Sequence, residues 1–224
     1  MKAKTFCFYL MAVVLAGGVP VLSLHPLYTQ ENIQFKEELV GIWADDSNDT
    51  IWEFKQSEEF ERAYDLTFIG GSEDEMAKGL FVAHLVKLKD KFFLDVYPKS
   101  LPGGKIEDPN VVPWPYNMFF FVPAHSFLKV EFTGTDTMKV WLTMEDELEK
   151  LLDEVPDAVR HEVIEEPDSK IVLTAPTKEL QEFVLKYADD ERLFPPETTL
   201  HRKEGPKPTA DTIETEERDE EVKD

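Results

Sequence analysis

The chain has 224 residues, 42% apolar and 12% aromatic, and a net charge of −22 from 46 acids and 24 bases. Such a surface repels phosphate backbones and anionic lipid, which argues against nucleic acid or a membrane surface as partner. The single cysteine, Cys7, lies in the N-terminal apolar stretch, so the rest of the chain has no disulfide, thiolate nucleophile or cysteine-based zinc site.

Lys2 and Lys4 precede an apolar run, Thr5 to Ala16, and the small residues Ala16, Gly17 and Gly18 follow, the build of a signal peptide. Residues 1–24 therefore read as a signal peptide or signal anchor of an exported protein. Cleavage near Gly18 or near Ser23 is one expectation. Retention is the other, because Thr5 to Leu24 is 20 residues and long enough to cross a bilayer core. Pro20 and the glycine pair weaken such a helix and favour cleavage. The membrane is then a partner only through this segment, if it is uncleaved.

From Leu39 the pattern changes to period two, the mark of half-buried strands. Val40 to Trp43 opens the series. Trp52 and Phe54 share one face of the next strand; Tyr64, Leu66 and Phe68 share a face of the third. Leu80, Val82, His84, Val86 and Leu88 make a longer row, and Phe92 to Tyr97 a short aromatic strand. Leu128, Val130 and Phe132 alternate with Lys129 and Glu131. Met138, Val140 and Leu142 follow the turn at Gly134-Thr135-Asp136, and Ile171 to Leu173 makes the last short strand. About eight strands joined by short turns predict a mainly β fold: an antiparallel, up-and-down, lipocalin-like barrel.

Two amphipathic helices are appended. Leu148, Leu151, Leu152 and Val155 form one stripe behind the acids Glu145, Asp146 and Glu147, and Pro156 ends it. Thr177 is the expected N-cap of the second, whose stripe is Leu180, Phe183, Val184 and Tyr187. The segment from Lys99 to Pro123 holds five prolines and reads as a long loop. Its aromatic load of Trp114, Tyr116, Phe119, Phe120 and Phe121 is unusual for a solvated loop. Residues 25–196 thus form the barrel domain with its helices. Residues 197–224, with ten acids and five bases, read as an acidic disordered tail.

Candidate sites follow from this frame. Gly41-Ile42-Trp43 resembles the lipocalin signature, in which glycine permits a close approach and the indole fills the closed barrel end. Leu66, Phe68, Val82, Val86, Leu128 and Val140 are expected to line the interior, with His84 on the same row and Trp114 and Phe120 as a lid or docking patch. Asp45 to Asp49 resembles a calcium loop, but Thr50 and Gln56 stand where that loop needs Gly and Glu, so no metal site is expected. His84 and His125, with Asp95 or Tyr97, are the only acid–base set in the strand region. No Gly-x-Ser-x-Gly, His-Glu-x-x-His or cofactor motif accompanies them.

Several blocks also resemble an uncharacterised bacterial envelope lipoprotein family with a lipocalin-like β-barrel. They are Leu24-His25-Pro26-Leu27-Tyr28, Leu39 to Trp43, Ala83 to Leu88, Phe93 to Pro98, Val122 to Phe127, Val172 to Ala175 and Thr177 to Gln181. The resemblance spans residues 24 to 194 and implies an exported envelope protein without an assigned activity. Gly18 stands where family members carry the lipidated cysteine, and glycine has no thiol to acylate, so lipid anchoring is not implied for this chain. The leading functional expectation is non-catalytic binding of an apolar small molecule or lipid in the periplasmic or other extracytoplasmic envelope. The alternatives are a protein-interaction or scaffold module with a side-chain-filled barrel, and a hydrolase using His84 or His125.

Overall fold

Alternating side chains put every second residue of a strand on one side, and here those sides face a common centre. The computed structural model describes residues 19–46, 50–72, 75–99, 122–165, 169–196 and 198–203. Strands β1 (Leu22–Ser23) and β2 (Ile33–Gln34) are short, and a 3-10 turn, Glu37–Leu39, leads into β3 (Gly41–Ala44). An antiparallel meander follows: β4 (Thr50–Gln56), β5 (Tyr64–Ser72), β6 (Glu75–Leu88), β7 (Lys91–Pro98), β8 (Ser126–Phe132) and β9 (Thr137–Leu142). Helix α1 (Glu145–Glu154), β10 (His161–Ile164), β11 (Lys170–Leu173) and helix α2 (Thr177–Lys186) come next, and β12 (Thr198–Arg202) is the last element.

The order β3-β4-β5-β6-β7-β8-β9-β12, returning to β3, is a closed eight-stranded antiparallel barrel, as the strand rows predicted. The eighth strand is not the expected one. Ile171 to Leu173 belongs to β11, which pairs with β1 in parallel and with β10 in antiparallel fashion, as a separate three-stranded sheet. Thr198 to Arg202, assigned to the tail on composition, closes the barrel instead. In that strand only Leu200 is a large apolar residue, buried to 1% exposure. One apolar residue among threonines, a histidine and an arginine gives no period-two signal.

Two cores result. Inside the barrel, Trp43, Trp52, Phe54, Tyr64, Phe68 and Met138 pack with Leu66, Leu94, Leu128, Val140 and Leu200. The second core lies outside the barrel wall. Val86, Leu88, Phe93 and Phe127 of the strands meet Leu148, Leu151 and Leu152 of α1, Leu180, Phe183 and Val184 of α2, and Ile171 and Leu173 of β11. Helix α2 therefore buries its predicted stripe, and α1 buries Leu148, Leu151 and Leu152 of its own, while Val155 lies past its end, half-buried. The N-cap expectation fails: Pro176 holds that position, and the Thr177 hydroxyl donates to the Pro26 carbonyl at 2.8 Å.

The outer core overturns the placement of Val82, His84 and Val86. Phe81, Ala83 and Leu85 belong to the inner core and Val86 to the outer one, so alternation carries Val82 and His84 outward as well. β6 is apolar on both faces because both are covered here. Its rows cannot be told apart by hydrophobicity, and the register with β5 (Leu66↔Phe81) and β7 (Leu85↔Leu94) decides.

The closed end is built around Trp43, which is fully buried and whose indole N–H donates to the Leu39 carbonyl at 2.9 Å. The Arg202 guanidinium lies 4.4 Å from the centre of that ring and donates to the carbonyls of Val40, at 2.7 Å, and Glu38. Gly41 has a φ of +137°, and a Cβ there would stand 2.6 Å from Arg202 Nη1. That φ is what calls for glycine at 41, and any side chain there would also have to displace the tip of Arg202.

Candidate functional site: a histidine–aspartate cluster on the outer wall

The register of three strands assembles the cluster. On the outward row His84 of β6 stands opposite Asp95 of β7, and Val82 opposite Tyr97. β7 and β8 pair Val96 with Ser126, which brings His125, one residue earlier, beside Tyr97 with ring centres 4.7 Å apart. The chain before the barrel supplies the cover. Ser23 exchanges two backbone hydrogen bonds with His125, both 2.8 Å, and Tyr28 stacks on His84 with ring centres 4.1 Å apart.

Asp95 is the centre, and its side chain is fully buried. One carboxylate oxygen lies 2.7 Å from His125 Nδ1; the other accepts the Leu27 backbone N–H at 2.6 Å. Both oxygens are thus engaged, which is how a buried carboxylate offsets its lost hydration. With Asp95 ionised, His125 carries its proton on Nδ1. His84 behaves differently. Burial depresses its pKa most, with His125 and Arg62 acting in the same sense and Asp95 opposing, and its Nδ1 is buried without a hydrogen-bond partner. The Tyr28 phenol is raised above its ordinary value by burial first, then by the charges of Asp95 and Tyr97.

Residues around His25-Pro26-Leu27-Tyr28 acquire a role here that the sequence does not reveal. The Leu27 N–H meets Asp95, the Leu27 carbonyl accepts from Gln181 Nε2 at 2.8 Å, and the Pro26 carbonyl accepts from Thr177. The segment is a strap pinned between the barrel wall and α2. Its contacts run largely through backbone groups, which every residue owns, so no side-chain pattern announces them. The part played by Leu27 is hidden for that reason, whereas Tyr28 acts through its ring, which meets His84 only once the strap is folded onto the wall. Arg202 was missed because it sat in a stretch read as tail.

Chemically, an imidazole oriented by a buried carboxylate is the second half of a nucleophile–base–orienter set. The first half is not in place among the described contacts: the Ser23 hydroxyl donates to the His25 carbonyl, and Ser126 sits one position from His125 on the opposite, inward row. Among the described residues no group of three or more His, Cys, Asp or Glu side chains is arranged to hold a metal ion. Of the remaining candidates, Leu66, Phe68, Leu128 and Val140 are inside the barrel, and Gly41 and Trp43 are at its closed end. Trp114 and Phe120 lie outside the described residues. Compared with protein-family models, with curated proteins and with solved structures, the chain matches none of them.

Proposed function

We propose that this chain is an exported, non-catalytic interaction module whose barrel is a filled scaffold rather than a carrier. One observation carries the reading: the inward face is occupied by Trp43, Trp52, Phe54, Tyr64, Phe68 and Met138, all buried and in mutual contact. Ring contacts tie them together, with Trp52 and Phe68 edge to face at 5.3 Å and Phe54 and Tyr64 at 6.0 Å. Eight strands leave room for side chains or for one small ligand, and here large side chains take the space. The titratable cluster supports the same reading, since it fastens the strap and no nucleophile is placed on it among the described residues.

The partner-facing part is then the open end. Lys99 closes β7 and Val122 precedes β8 on that rim, Val122 at 75% exposure, and the intervening sequence carries Trp114, Phe119, Phe120 and Phe121. Aromatic residues dominate protein-interface energetics. The test is photo-crosslinking in the exporting cell with a photoreactive residue at 114 or 120, against a control at Lys55 on the outer wall. A discrete protein adduct from 114 or 120 but not from 55 is expected; no adduct from either overturns the interaction module. The competing reading, an apolar small molecule or lipid, is decided by a melting screen with fatty acids and lipid extract. A saturable rise in Tm with any of them displaces the scaffold reading.

A further inference from the structure

The fold begins earlier than the leader ends on composition. The Val19 carbonyl accepts the Glu145 N–H at 2.8 Å, Pro20 bridges to Met144, and the Val21 N–H donates to the Thr143 carbonyl at 3.0 Å. The Val21 side chain is in the outer core, Leu22 and Ser23 pair with Val172 and Leu173, and the Leu24 N–H donates to the Leu173 carbonyl at 2.9 Å. Residues 19–24 thus join three parts of the domain: the end of β9 with the start of α1, the start of β8, and β11.

This decides between the fates open to the leader. A spanning helix needs about 20 apolar residues for a core of about 30 Å. With Val19 to Leu24 committed to extended backbone in the domain, only residues 5–18, fourteen positions, remain beyond Lys4. That is the length of a signal-peptide apolar region and too short for an anchor. Cleavage near Ser23 fails for a different reason. Export peptidases act before folding, so burial does not protect the bond, but the product would lack β1 and both Ser23–His125 hydrogen bonds.

We infer that the Gly18–Val19 peptide bond is the processing site, so that the folded protein starts at Val19 and carries no membrane anchor from this leader. The inference rests on the export reading above. Small residues occupy the two positions that such a peptidase reads, Ala16 and Gly18, with Gly17 between them. A cut after Ser23 would place the larger Val21 at the outer of the two. The step is a hydrolysis by the signal peptidase of the exporting membrane. Water gives its hydroxyl to the Gly18 carbonyl carbon, freeing the leader carboxylate, and the Val19 nitrogen leaves as an ammonium. Val19 is 38% exposed, so the new charge remains solvated.

The experiment expresses the full chain in an exporting bacterium and reads intact mass and N-terminal sequence in cytosolic, membrane and envelope-soluble fractions. The expected product is envelope-soluble and begins at Val19. The double variant Ala16→Leu, Gly18→Leu should instead accumulate as the uncut chain in the membrane fraction. A product beginning at Leu24, or a wild-type chain held uncut in the membrane with the barrel outside, overturns the processing site and leaves export standing. An uncut chain found in the cytosol overturns export and this inference with it.

Discussion

Replacing Asp95 by alanine tests whether the buried carboxylate is what holds the strap. The substitution orphans two donors at once, the Leu27 N–H at 2.6 Å and His125 Nδ1 at 2.7 Å. An orphaned buried donor costs about 1–3 kcal/mol. Against that, the variant no longer desolvates a carboxylate, itself a cost of several kcal/mol. The two donors together cost about 2–6 kcal/mol and the relieved desolvation offsets only part of this, so the net expectation is a loss of about 2–4 kcal/mol. For a domain of this size about 1 kcal/mol shifts Tm by about 2–4 °C, so the drop is roughly 5–15 °C. Asp95→Asn separates hydrogen bonding from charge. Its amide oxygen can still accept from Leu27, and its NH₂ can donate to His125 Nδ1 once that ring moves its proton to Nε2, so a loss of only about 1–2 kcal/mol is expected. Urea melts give the free energies, and amide exchange at Leu27 gives the local readout. An alanine variant melting within a degree of wild type, with Leu27 still protected from exchange, would refute the strap as described.

Stability should also depend on pH through His84. Its folded pKa is depressed below the unfolded value of about 6.5, mainly by burial. The neutral ring is therefore the folded form: the stabilisation is complete above about pH 6.5 and is lost as pH falls through the folded pKa. Melting curves between pH 8 and 5 should steepen downward below 6.5 in wild type, and His84→Gln should remove that component of the slope. At the closed end, Arg202→Ala removes a cation–π contact at 4.4 Å and hydrogen bonds to three carbonyls, and should cost about 2–4 kcal/mol in urea melts. Phe54→Ala opens the filled interior and should cost about 3–5 kcal/mol. Benzene should then raise the Tm of that variant and leave wild type unmoved; an equal rise in both would mean the barrel already holds a cavity. Ending the chain after Pro196 rather than after Lys203 removes the strand between β9 and β3, and far-UV and near-UV circular dichroism should show loss of the native barrel only in the shorter form.

How much of this was legible depends on whether a residue acts through its side chain or through its backbone. Trp52 and Phe54, Tyr64 and Phe68, and Leu128 and Val130 alternate with charged or polar neighbours, and their inward faces follow from that alternation alone. β6 does not yield to the same reasoning. From Phe81 to Val86 it is apolar on both sides but for His84, since the inner core takes one row and the helix layer takes the other. A one-residue choice of face then moves Val82, His84 and Val86 together. The two rows differ only in what lies across the sheet, which is a property of pairing and not of composition.

The site depends on pairing in the same way. His84 and Asp95 become neighbours only because the Lys89-Asp90 turn sets β6 against β7 in one register, and His125 joins them only because β8 returns beside β7. Given the barrel and its order, the three were candidates from sequence as polar residues among apolar rows. The strap was not, because the atoms it offers are the N–H of Leu27 and the carbonyls of Pro26, Leu27 and Ser23. What makes it specific is the buried carboxylate waiting for a donor: Asp95 is satisfied only when a particular N–H arrives. The residues that look least informative before the barrel therefore complete the hydrogen bonding of the buried carboxylate, and a chain beginning after β1 would lack the backbone pairing that positions them.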